Sequence, residues 1–195
     1  MDGSGGLALA PGTPRQRFEE VALPYLDAAY NLARWLTRND ADAADVLQEA
    51  MLRALTYFDG YRGENGKAWL LTIVRNTCFR WLERNRPAMV TPFSAEVEAE
   101  VDAVQARPGA EAPPDPEAQL LMKRDAALLN ELIGELPPLY REIVVLREME
   151  ELSYREIADV LGVPIGTVMS RLARARGLIK DGWSRRSRQG ARDGV

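Results

Sequence analysis

The chain has 195 residues, 46 % of them hydrophobic, and a formal net charge of −4, enough for one or two compact domains with real cores. A single cysteine, Cys78, and the absence of histidine exclude an internal disulfide framework and a Cys/His zinc site, so no metal or other cofactor is expected. No apolar run reaches membrane-spanning length, and the first residues lack the basic and apolar blocks of a secretion signal. A soluble cytoplasmic protein with no membrane insertion is expected.

Residues 1–13 are rich in Gly, Ala and Pro and are expected to form a disordered tail. Thr13, Pro14 and Gln16 then mark a helix start, a cap followed by proline at the first helical position. Phe18, Val21, Ala22, Tyr25, Leu26, Ala29, Leu32, Ala33 and Leu36 recur at helical spacing, with Pro24 placed to break or kink the run. Asn39 and Asp40 mark a turn. Val46, Leu47, Ala50, Met51, Ala54, Leu55 and Phe58 stripe a second helix. A loop from Asp59 to Gly66 leads to a third helix, with Trp69, Leu70, Ile73, Val74, Cys78, Trp81 and Leu82, which stops at Pro87. Cys78 falls within that stripe and reads as a small buried hydrophobe. Residues 14–87 thus form one small helical domain.

Residues 88–117 lack periodicity and are acidic and proline-rich, the composition of an extended linker able to reach roughly 100 Å. A second helical domain is expected over residues 118–183. Leu120, Leu121, Leu128, Leu129, Leu132 and Ile133 stripe one helix, ended by Pro137 and Pro138. Leu139, Ile143, Val144, Leu146 and Met149 stripe the next. No segment alternates as a strand would, so the fold class is all-α, with two small helical domains on a flexible acidic linker.

The end of the second domain is the most informative stretch. Ser153 is placed to cap a helix, and Glu156 three residues on completes a capping box. Ile157, Ala158 and Leu161 form its apolar stripe, Gly162 supplies a turn, and Pro164 suits the start of the next helix. Val168, Leu172, Ala175 and Ile179 face inward on that helix. Thr167, Ser170, Arg171 and Arg174 face out. The pattern is a helix-turn-helix with a recognition helix for the major groove. An ordinary helical hairpin with a solvated arginine face is the plainer alternative; the agreement of cap, turn and basic outer face favours DNA. Residues 184–195 form a basic C-terminal tail.

The acidic total does not oppose this, because charge is segregated and local patches decide binding. Acid dominates from Asp27 to Asp59. Base dominates from Arg62 through Lys67, Arg75 and Arg80 to Arg86. Acid returns from Glu96 to Glu117, and base again from Arg171 to the end.

Three segments carry a family resemblance. The run D-V-L-Q-E-A-M-L-R-A-L from Asp45, K-A-W-L-L-T-I-V-R-N from Lys67, and L-P-P-L-Y-R-E-I-V-V-L-R from Leu136 followed by the helix-turn-helix resemble the extracytoplasmic-function (ECF, group 4) sigma factors of the sigma-70 superfamily. The resemblance covers residues 14–87 and 117–183 and leaves out the linker and both tails. It implies a region 2-like domain that binds core polymerase and the minus-ten element, and a region 4-like domain that binds the minus-thirty-five element. The function implied is to bring core RNA polymerase to specific promoters and help open the DNA. No catalytic residues are implied, since the polymerase performs the chemistry.

The resemblance also assigns residues. Asp45, Gln48, Glu49, Leu52 and Arg53 would dock on a coiled coil of the polymerase's largest subunit. Carboxylates and an amide on one helix face suit an arginine-bearing partner, although a Glu49–Arg53 surface pair is also what any solvated helix shows. Arg62, Lys67, Arg75 and Arg80 would meet the minus-ten backbone. Tyr61 and Trp69 would stack unpaired bases, and Asn76 would read a base edge. Trp69 shares a stripe with Ile73 and suits the core equally well. Arg147, Thr167, Ser170, Arg171, Arg174 and Arg176 would contact the minus-thirty-five duplex. Met169 stands where many relatives carry a basic residue, a departure that bears on sequence preference. An anti-sigma protein is the implied inhibitory partner. A free-standing helix-turn-helix regulator, which has no need of the Asp45–Arg53 helix, and a sigma-like decoy, which has no need of Arg171 and Arg174, are the alternatives.

Overall fold

The computed structural model describes residues 13–63, 65–89 and 116–190, and every regular element among them is helical. Residues 1–12, most of the expected linker with its acidic run, and residues 191–195 lie outside the described residues, as do the side chains of Leu120 and Leu121.

Helix α1 spans Pro14–Ala22. The Thr13 hydroxyl accepts the Gln16 N–H at 3.2 Å, and the Gln16 side chain accepts the Thr13 N–H at 2.7 Å. This capping box satisfies donors that every helix start leaves open. Pro24 does not end the helical path. It sits in a single tight turn, Leu23–Tyr25, where its missing N–H costs no bond, and α2 follows at Leu26–Thr37. Asn39 caps α3 (Asp40–Tyr57) by accepting the Asp42 N–H at 3.0 Å. Asn65 caps α4 (Gly66–Asn85) in the same way through Ala68 at 2.9 Å.

Helices α2, α3 and α4 pack on one another through Leu32, Leu36, Val46, Leu70, Leu71, Val74 and Leu82, each essentially inaccessible. Burying a side chain of this size contributes about 1.5–3 kcal/mol. Between them lie Ala29, Ala33, Ala43, Ala50 and Ala54, all fully buried, whose small side chains let the backbones approach. Gly66 is required for a similar reason: a Cβ there would sit 2.9 Å from Val21 Cγ1 and 3.0 Å from its carbonyl oxygen. Cys78 is buried in this core, and burial pushes its thiol up to about 12, which makes it inert.

The second domain begins with α5 (Pro116–Glu135) and α6 (Pro138–Val144). Helix α6 loosens into a π turn over Val145–Met149, and the Glu150 N–H reaches back to Val145 O at 3.0 Å. Helix α7 (Tyr154–Leu161) starts on a Ser153/Glu156 capping box and ends at Gly162, which takes φ 66°. Helix α8 spans Ile165–Gly190 and runs past residue 183, where composition alone placed the start of a tail. Its far end packs on α5: Gly182 lies against Leu132, and Arg186 pairs with Glu131 at 2.6 Å and with Glu135.

The two domains share one core. Helix α6 packs on α2 and α7 on α4, and the buried apolar residues of both halves form a continuous cluster. The joint is polar at its heart. Arg141, 1 % exposed, uses all five guanidinium donors on five backbone carbonyls. Trp35 O and Leu36 O belong to the last turn of α2, at 3.0 and 3.4 Å. Ile133 O, Gly134 O and Leu136 O, at 3.4, 2.8 and 2.6 Å, belong to the end of α5. These carbonyls lie at the helix ends that carry the negative pole of each dipole, and of the five Ile133 O also accepts the Leu136 N–H at 3.2 Å. One cation therefore caps a helix from each domain. Burial, then the charge of Arg38, lowers the Arg141 pKa to about 10, so it stays charged at neutral pH.

Candidate nucleic-acid interface

On α3, Asp45, Gln48 and Leu52 are exposed, with Leu52 at 62 %. Glu49 is half-buried between two arginines, Arg53 at 2.6 Å and Arg84 at 3.7 Å. The five residues form a face with an open acidic and apolar part and a neutralised edge.

On α4 the basic residues divide. Arg62 in the preceding loop, Arg80 and Asn76 are exposed. Lys67 is held by Glu150, donating to its backbone carbonyl at 2.7 Å and pairing with its carboxylate at 3.1 Å. Arg75 donates to both oxygens of Glu142 at 2.8 and 3.2 Å and to the Asn76 side-chain oxygen at 3.2 Å, while its guanidinium covers the Phe79 ring at 4.5 Å. Two cations with a sequence-assigned role on DNA thus lie in the joint between domains. Glu142 is fully buried, and burial raises its pKa; the Arg75 hydrogen bonds and the charges of Arg75 and Arg171 oppose that rise.

Tyr61 and Trp69 are half-buried, and their rings meet at a tilt of 50° with centroids 4.9 Å apart. Both also contact Phe58, at 5.8 and 5.9 Å, and Phe58 meets Phe18 at 5.4 Å. The cluster anchors the loop before α4 onto α1 and the end of α3.

In the helix-turn-helix, Arg174 is exposed, and Thr167, Ser170 and Arg171 are half-buried. The Ser170 hydroxyl donates to Thr167 O at 3.2 Å. Arg147 braces the turn before α7, donating to Leu152 O at 2.8 Å and covering the Tyr154 ring at 5.1 Å. Arg176 pairs with Glu148 at 2.6 Å. Arg141, Glu142 and Glu150 are the residues that sequence reasoning missed. A signal was present: Arg141 and Glu142 stand beside the apolar run Ile143–Leu146, where a charge must be buried and therefore paired.

Comparison with known proteins shows the family. Sigma-70 region 2 matches residues 22–87 and sigma-70 region 4 matches residues 126–179. The ECF RNA polymerase sigma factor SigE of Mycolicibacterium smegmatis is 31 % identical over 98 % of this chain and 69 % of its own. The chain belongs to the ECF sigma factors. The ECF RNA polymerase sigma-E factor of Haemophilus influenzae is 33 % identical over 77 % of this chain and 78 % of its own. Among solved structures, the sigma factor RpoE of Bartonella quintana, crystallised with the anti-sigma factor NepR, matches in fold with a TM-score of 0.61 and 24 % identity, over 87 % of this chain and 98 % of that one.

ECF sigma factors are transcription initiation factors, and the all-α, two-domain architecture is the one expected. The region 4 match ends at residue 179, before the stretch of α8 that carries Gly182 and Arg186. None of the described helices is long and apolar enough to cross a membrane.

Proposed function

We propose that this ECF sigma factor meets polymerase with one face of its first domain and promoter DNA with another, and that the closed joint between domains withholds the second face. The observation that carries the reading is the division between α3 and α4. Asp45, Gln48 and Leu52 stand in solvent, while Lys67 and Arg75 are held by Glu150 and Glu142. The α3 face is open to a coiled coil of the polymerase in the closed form. Lys67 and Arg75 reach a displaced strand only once the second domain moves away, because a guanidinium bidentate to a buried carboxylate has few donors left for phosphate.

Arg62, Asn76 and Arg80 complete the minus-ten face, and Tyr61 and Trp69 hold its loop in place. Thr167, Ser170, Arg171 and Arg174 read the minus-thirty-five element, and Arg147 and Arg176 support that helix. The chain catalyses nothing itself and works in the cytoplasm beside polymerase and genome. An anti-sigma protein is its partner in the resting cell, a reading supported by the fold relative crystallised in complex with the anti-sigma factor NepR. Exposed Arg174 argues against a decoy, which has no use for a basic recognition face.

Distance between spectroscopic labels on exposed positions Glu83 of α4 and Asp159 of α7 tests the opening. Adding core polymerase is expected to lengthen it. An unchanged distance in a complex that still transcribes would remove the joint from the mechanism.

A further inference from the structure

The recognition helix holds two large apolar side chains in solvent. Ile165 is 46 % and Met169 54 % exposed. They stand at i and i+4, one turn apart on one face of α8. The core face of that helix is complete without them, since Val168, Leu172 and Ala175 are buried.

Several observations point to duplex DNA as their occupant. Both residues lie in the first two turns of α8, just after the Gly162 turn, the end that meets base edges in helix-turn-helix proteins. Thr167, Ser170 and Arg171 in the same turns and Arg174 in the next are donors, and the first turn has no acidic residue to repel phosphate. A Cβ at Gly166 would meet nothing within 4 Å, so the backbone between them is open to close approach. Thymine is the one base whose major-groove edge presents an apolar group, its 5-methyl.

We propose that Met169, supported by Ile165, is a specificity-determining residue that packs on a thymine 5-methyl group in the upstream promoter element. The inference rests on the promoter-reading role of α8 given above. It adds an apolar contact to the hydrogen-bond readout of the arginines, and it requires a thymine on at least one strand under the first two turns of the helix.

The test uses core RNA polymerase assembled with the full chain. Promoter duplexes are first selected from a pool randomised in the upstream element. Each thymine is then replaced singly by deoxyuridine, which removes only the methyl. At least one replacement is expected to weaken wild-type binding about fourfold, the effect of returning one methyl-sized group to water. Met169→Ala should bind the unmodified duplex about that much more weakly and be indifferent to the same replacement. Arg174→Ala should lose affinity yet keep its sensitivity to it. If no deoxyuridine duplex binds wild type more weakly, the proposal is overturned, and a protein partner becomes the occupant of this ridge. Equal sensitivity in Met169→Ala and wild type also overturns it. Selection of no upstream sequence at all would instead sink the promoter-reading role beneath it.

Discussion

Arg75 and Glu142 are 67 positions apart in sequence, yet they form a two-bond ion pair, at 2.8 and 3.2 Å, that joins α4 of the first domain to α6 of the second. Glu142 is fully buried and Arg75 only 18 % exposed. A pair this buried adds little net stability, because desolvation offsets most of the attraction. Its effect is to fix how the domains meet and to occupy a guanidinium that DNA would otherwise engage.

The pair makes the joint sensitive to pH. The folded-state pKa of Glu142 is raised, chiefly by burial, so the folded protein binds the Glu142 proton more tightly than the unfolded chain. The stability from that proton is complete below the ordinary carboxylate range and is lost as pH rises through the folded pKa. Wild type should therefore gain stability relative to Glu142→Gln as pH falls from neutral. Thermal melts of both proteins across that range check the sign; a gain for wild type on raising the pH contradicts it.

Arg141 should be the most sensitive position in the joint. Arg141→Met removes the guanidinium from five backbone carbonyls at two helix ends, of which Ile133 O keeps the Leu136 N–H. A loss of about 3–5 kcal/mol is expected, the range for breaking a buried charged interaction. Arg141→Lys, with three donors instead of five, should fall between. Urea unfolding measures this, and a cost under about 1 kcal/mol for Arg141→Met would show that the joint is not held there.

The acidic face of α3 should respond unequally to charge reversal. Glu49 is shared between Arg53 and Arg84, whereas Asp45 is exposed. Asp45→Lys is expected to weaken co-purification with core polymerase more than Glu49→Lys, and the double variant to abolish it. Full-strength co-purification of the double variant would place the docking face elsewhere.

On α8, Arg174 is exposed and Arg171 is half-buried, close enough for its charge to act on Glu142. Arg174→Ala should therefore reduce response to the upstream element more than Arg171→Ala, by roughly ten- to a hundredfold for a lost bidentate base contact. Both variants should still bind polymerase. Promoter binding by the reconstituted enzyme measures the order, and equal small effects would argue that neither reads a base.

Much of the fold was legible because its signals are local. The capping boxes Thr13/Gln16 and Ser153/Glu156, the Asn39 cap and the Gly162 turn each depend on residues within a few positions. The periodic stripes give the helices directly. The joint was not legible, because Arg141 meets Trp35 and Leu36 at separations of 106 and 105 residues, and nothing in its neighbours names those carbonyls. The same gap affected the DNA-facing set: Lys67 and Arg75 read as free cations, and only tertiary packing brings Glu150 and Glu142 to them. For Trp69, spacing could not choose between core and DNA, and the structure puts its ring against Tyr61 and Phe58. At the far end of α8, composition set residues 184–195 apart as a basic tail, but Arg186 finds a partner on α5.

Run-off transcription tests the central claim most directly. Purified core polymerase is combined with sheared genomic DNA of the source bacterium, with and without the protein. Discrete new transcripts that depend on the protein are the expected result. No transcripts, together with no binding to core polymerase, would contradict the account.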